Sequence, residues 1–209
     1  MSLIERLLGD GDDAEADLDA RRESGDDALD RRVDPDAYGI DDAGVTGVAV
    51  VNEGPDDEPV TVPIARFSLG EDVESSEYDL VWELVGEALS ALESAFEDVF
   101  VRHYDVQFTF DSNGLFEAEE CRRVAVPPEL ADRFVSEPGY DTADLKAAML
   151  EGHDIDDEIA PVAWGECKDY SRNAGMAVVA AGAAGTSAAS CAGAGSAATG
   201  CGGAGAGGV

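Results

Sequence analysis

The chain has 209 residues, with 46 aspartates and glutamates against 13 lysines and arginines, a net charge of −33. That balance excludes the clustered basic surface a phosphate backbone requires, so nucleic acid is not expected as a partner. Hydrophobic residues still make up 44% of the chain, enough to build the core of one medium domain.

The first element is a short apolar stripe, Leu3, Ile4, Leu7 and Leu8, broken by Glu5, Arg6 and Asp10 too early for a secretory signal. From Gly9 to Asp42 the sequence is mainly Asp, Ala, Glu and Arg, with few large apolar side chains. Such a stretch has little to bury, and residues 1–42 are expected to be an acidic disordered arm with a short amphipathic start. The segment contains an echo, Asp17-Leu18-Asp19-Ala20-Arg21-Arg22 and Ala28-Leu29-Asp30-Arg31-Arg32, but two copies do not make a repeat architecture.

Residues 43–170 have the pattern of a folded domain. Val45–Val51 and Val60–Phe67 are β-rich runs separated by the turn formers Asn52 to Pro59, which predicts a hairpin with a long loop. Pro63 inside the second run predicts an edge strand or a bulge. A long amphipathic helix is predicted over Ser76–Phe100: Leu80, Val81, Leu84, Val85, Leu89, Leu92 and Phe96 recur at helical spacing, while Glu83, Glu87, Glu93 and Glu97 keep to the other side. Tyr104, Val106, Phe108 and Phe110 alternate with Asp105, Gln107 and Thr109, the period of a strand. Asn113-Gly114 predicts a hairpin turn back through Phe116–Val126. Pro127-Pro128 opens a short helix, Asp141 caps another, and Ile159–Trp164 returns to the sheet. The order ββαββαα, with a final β, predicts an α+β fold: a small antiparallel sheet from two hairpins packed against one long amphipathic helix, with disordered N- and C-terminal tails.

Residues 171–209 contain no Asp or Glu and are mostly Ala and Gly with some Ser, Thr and Cys. They are expected to be a low-complexity tail with little to bury. Three accounts of it stay open: a flexible tail, a peptide module with its own fate, and a frameshifted end. In composition, Thr186, Ser187, Ser190, Cys191, Ser196, Thr199 and Cys201 resemble the core of modified peptide antibiotics. That resemblance implies a precursor or immunity-type protein carrying a C-terminal peptide.

The basic residues carry a second resemblance. Only Lys146 and Lys168 are lysines, the other basic residues being arginine. Lysine is the more strongly hydrated cation, whereas arginine forks onto carboxylates. A chain that avoids lysine and multiplies carboxylates resembles the proteins of haloarchaea as a class. The resemblance implies a cytoplasmic setting of multimolar salt, where a Debye length of about 3 Å screens the self-repulsion of such a charge. No segment is long and apolar enough for stable membrane insertion, and the cysteines show no spacing that predicts a disulfide framework.

Catalytic signatures are not evident: no nucleophile elbow, Walker loop or dinucleotide fingerprint occurs. The metal-ligand candidates are His103, Cys121, His153 and Cys167, but they lack the close-spaced pairs of a zinc site, and neither a metal nor a cofactor is expected. Asp154 to Glu158 lacks the glycine of a calcium loop and reads as a solvated acidic loop. Arg122 and Arg123 are candidates to receive an anionic group or a protein partner, and the alternative is that they neutralise Glu119 and Glu120. The leading functional reading is a non-enzymatic binding or adaptor domain with a protein partner. The alternatives are the peptide precursor and an enzyme whose site has no sequence signature.

Overall fold

A computed structural model of the chain describes residues 3–54, 58–69, 78–110, 120–152, 162–170 and 178–180. The fold is α+β. Helix α1 (Leu3–Asp30) and the single turn α2 (Pro35–Tyr38) precede the hairpin β1 (Asp42–Glu53) and β2 (Pro59–Ser68). Helix α3 (Tyr78–Phe96) and the short β3 (Phe100–Val101) lead to β4 (Tyr104–Phe110) and β5 (Glu120–Val126). Helices α4 (Pro128–Ser136) and α5 (Thr142–Glu151), then β6 (Val162–Glu166) and β7 (Val178–Ala180), complete the described elements. The sheet runs β6-β5-β4-β2-β1-β7, with β3 pairing beside β2.

One apolar cluster joins the helices to the sheet. It contains Val81, Leu84, Val85, Leu89, Leu92 and Phe96 of α3, Phe67 of β2, Val106 and Phe108 of β4, and Leu145 and Met149 of α5. Phe108 is fully buried, stacked on Phe67 at a centroid distance of 5.6 Å and flanked by Trp164 at 5.8 Å. Asp141 caps α5 by accepting from the backbone N–H groups of Ala143 and Asp144, and Asp144 returns a bond to the Asp141 N–H. Gly86 lets α3 approach α4, since a Cβ there would sit 2.8 Å from Phe134 Cζ.

The expectation of a disordered arm over residues 1–42 is overturned wherever its side chains are described. Leu18, Leu29, Val33 and Ile40 belong to the main core cluster. Leu18, Arg22, Gly25 and Leu29 are spaced i, i+4, i+7, i+11, one face of a helix, and all four are buried. Gly25 belongs on that face because the helix lies close to its neighbours: an added Cβ would stand 3.2 Å from Leu92 of α3. Bonds tying α1 to the rest include Val45 N–H to Asp26 Oδ1 at 2.7 Å and Arg21 Nη1 to the carbonyl of Ala95 at 3.2 Å.

The all-antiparallel sheet is also corrected. Each hairpin is antiparallel, β1 with β2 and β4 with β5, but the two meet through β2 and β4, which are parallel. Pro63 therefore lies in an interior strand, paired with Val48 of β1. On its other side it falls at the break between the β3 pairing, which ends at Thr61, and the β4 pairing, which begins at Ile64. A residue without an N–H is tolerated where the ladder is interrupted. The tail boundary at 170 moves as well: Val178, Val179 and Ala180 pair antiparallel with Ala49, Val48 and Gly47. The Asn113-Gly114 turn and the acidic loop of Asp154 to Glu158 lie outside the described residues.

Candidate functional site on the polar face of the sheet

The alternation in β4 puts Val106 and Phe108 against the helices and Asp105, Gln107 and Thr109 on the opposite face. The neighbouring strands bring Arg66 opposite Gln107 on one side and Arg123 opposite it on the other. Arg66, Gln107 and Arg123 thus form one polar row across three strands. Cross-strand and diagonal neighbours on one face of a sheet are within reach of long side chains. Arg66 donates through Nη2 and Nε to Gln107 Oε1, at 2.6 and 3.2 Å. Arg123 reaches diagonally, donating from Nη1 to Asp105 Oδ2 at 3.2 Å.

Asp105 has no solvent exposure. Tyr170, itself buried, donates its hydroxyl to Asp105 Oδ2 at 2.8 Å and packs its ring with Ala49, Val62 and Ile64 in a second, smaller apolar cluster. The same hydroxyl oxygen lies 3.3 Å from Arg123 Nη1 and 3.1 Å from His103 Nε2. Its single proton is committed to Asp105, so it accepts from Arg123 and from His103. That assigns the proton of His103 to Nε2 and leaves Nδ1 as a bare acceptor. Three buried polar side-chain atoms have no partner among the described residues: His103 Nδ1, Asp105 Oδ1 and Arg123 Nε. All three belong to this network.

Electrostatics follow from burial. The His103 imidazole is pushed down to about 3, first by desolvation and then by the cations Arg123, Arg102 and Lys168, so it is neutral at neutral pH. Desolvation raises the Asp105 carboxyl above the usual aspartate value, against the opposing pull of Arg123 and the Tyr170 hydrogen bond. Desolvation, reinforced by Asp105, also pushes the Tyr170 phenol up.

Beside the network lies an open concavity of about 430 Å³, lined among others by Arg66, Gln107, Thr109, Lys168, Asp169 and Tyr170. Cys121 and Cys167 also line it, and they are bonded to each other as a disulfide with Cα atoms 5.5 Å apart. The cysteine spacing, which predicts no disulfide framework, gives no sign of this single bond. The two lie 46 residues apart and meet only because β6 pairs with β5, setting Glu166 opposite Arg122.

The metal candidates therefore separate. Cys121 and Cys167 are taken up in the disulfide, His103 is bonded to Tyr170, and His153 lies outside the described residues. His103 is also buried. Arg122 and Arg123 do not act as a pair: Arg122 is paired with Glu120 at 2.7 Å, and Arg123 turns to the other face and Asp105. No sequence pattern marks Arg66, Gln107, Lys168 and Tyr170 as parts of one site. The signal available was the row of polar residues at alternate positions of β4, which reads equally as a solvated face.

Among the described residues no helix is long and apolar enough to cross a membrane. No family model, curated protein or solved structure matches this chain.

Proposed function

We propose that this chain is a non-catalytic binding domain of a salt-adapted cytoplasmic protein, and that the concavity on the polar sheet face receives a small anionic group. The observation that supports this reading is the charge of the lining. In a chain of net charge −33, the concavity carries Arg66 and Lys168 against the single carboxylate of Asp169. Arg66 is exposed, and Gln107 holds its fork by two hydrogen bonds to one oxygen, a pre-set donor for an oxyanion. The buried Asp105 has its Oδ2 held by Arg123 and Tyr170, so a cation already faces its charge.

Multimolar salt suits both parts of the reading. It screens the long-range repulsion between the chain and an anion within about 3 Å, while direct contacts persist. Melting temperature should therefore rise from low salt to multimolar KCl, and a salt-independent melt would count against the salt adaptation.

Inorganic phosphate is the first probe. Isothermal titration in multimolar KCl should show saturable binding that is lost in R66Q and weakened in K168M. Equal binding by all three proteins would place the anion elsewhere. The pairing of Val178–Ala180 with β1 supports a tail that begins as part of the domain, rather than a peptide made for release.

A further inference from the structure

We infer that the Cys121–Cys167 disulfide is a redox latch on the concavity: oxidised, it holds the segment 167–170 and the Tyr170 side chain over Asp105; reduced by a dithiol, it frees that segment and dismantles one wall of the site. The inference concerns regulation of the concavity, and its ligand arm rests on the anion-binding reading above.

Three placements carry it. Both cysteines line the concavity and both are partly exposed, so a small dithiol has access to the bond. The ladder between β5 and β6 ends at Glu166, immediately before Cys167, and residues 167–169 are in neither helix nor strand. The attachments of this segment to the sheet face include the disulfide to β5 at one end and Tyr170 at the other. Lys168, Asp169 and Tyr170, three of the residues lining the concavity, lie within this short span.

Tyr170 couples the bond to the buried network. Its hydroxyl contacts Asp105, Arg123 and His103, and its ring belongs to the small cluster with Ala49, Val62 and Ile64. Removing the latch takes away the covalent hold three residues before Tyr170 and leaves the segment to that side chain's own contacts. Once Tyr170 lifts, Asp105 and His103 open to water and favour the released state, because hydration relieves the desolvation of both.

The chemistry balances as ordinary thiol–disulfide exchange. A dithiol's thiolate attacks one sulfur, forming a mixed disulfide and expelling the other cysteine as thiolate. The second thiol of the dithiol then attacks the mixed disulfide and expels the first cysteine. Two electrons pass to the protein, two protons complete Cys121 and Cys167 as thiols, and the dithiol leaves as its cyclic disulfide.

The test uses the full chain carrying C191S and C201S, so that Cys121 and Cys167 are the only cysteines, reduced with dithiothreitol and checked by alkylation and mass. Backbone hydrogen exchange over 162–170 should rise by about tenfold on reduction, while exchange in α3 stays unchanged, as expected of a local opening. Phosphate affinity should fall on reduction, and a variant with both C121S and C167S added should behave as the reduced protein. Unchanged exchange over 162–170 in the alkylated protein would overturn the latch. So would loss of the whole fold on reduction, which would make the bond a general staple, or increased exchange with unchanged phosphate affinity. Increased exchange in a protein that binds no phosphate even when oxidised would uphold the latch and remove the anion-binding reading instead.

Discussion

The two faces of β4 are built from the same seven residues and are held by different physics. On the helix side, Tyr104, Val106 and Phe108 disappear into a core shared by four helices and the sheet. On the other side Asp105, Gln107 and Thr109 are 0, 2 and 5% exposed, nearly as buried as their apolar neighbours. An apolar face gains from every contact and tolerates some error in geometry. A buried polar face depends on donors and acceptors brought to it, and here Arg66 meets Gln107 while Arg123 and Tyr170 meet Asp105, all three from other segments. Alternation of apolar and polar residues thus records two faces of a sheet without recording which is wet.

The contrast can be broken from the apolar side first. Phe108 is fully buried between Phe67 and Trp164, so Phe108→Ala should cost about 4 to 5 kcal/mol in a chemical denaturation at high salt. A loss below about half a kcal/mol would mean that the helix-side face is not the main core.

The polar side should respond to a different kind of change. Arg123→Met keeps most of the volume but leaves the Asp105 carboxylate buried without its cation, and should cost about 3 kcal/mol. Adding Asp105→Asn should recover much of that loss, because the cost comes from the stranded charge and not from a missing contact. A double variant no better than the single one would show that the pair acts by shape alone.

The smallest effect is a pH dependence. His103 has a folded value depressed to about 3, so below an unfolded value near 6.5 the unfolded chain binds a proton that the folded chain refuses. Its contribution is complete above that window and is lost as pH falls toward 3. Asp105, raised by burial, works the other way, favouring the fold as pH falls. Comparison with His103→Gln cancels the Asp105 part. Between pH 7.5 and 5 the unmodified protein should lose about 2 kcal/mol more stability than the variant. Parallel curves would mean that His103 is not buried as a neutral ring.

Some of this was open to a reader of the sequence. Helix α3, both hairpins and the caps of the later helices stand out because each signal is local: a 3.6-residue period, a two-residue alternation, a proline pair, an aspartate before a helix. Helix α1 was harder. Its buried face is Leu18, Arg22, Gly25 and Leu29, and two of those four residue types argue against a buried helix when taken alone. The signal was present in the echo around Leu18 and Leu29, which are eleven residues apart, about three helical turns, and so on one face. Arg22 is accepted there with its guanidinium on Asp19 at 3.0 Å, and Gly25 because a Cβ would stand only 3.2 Å from the Leu92 side chain of the neighbouring helix.

By itself the sequence determined the charge of the molecule, its α+β class and the two faces of β4, since composition and periodicity act over a few residues at a time. Only the tertiary structure decided that β2 and β4 run parallel, that Cys121 meets Cys167, and that Tyr170 closes over Asp105. Each of those contacts joins segments far apart in the chain. The partner of a buried carboxylate in a chain of 46 acidic residues is set by strand order and register, and neither is encoded in any single stretch of sequence.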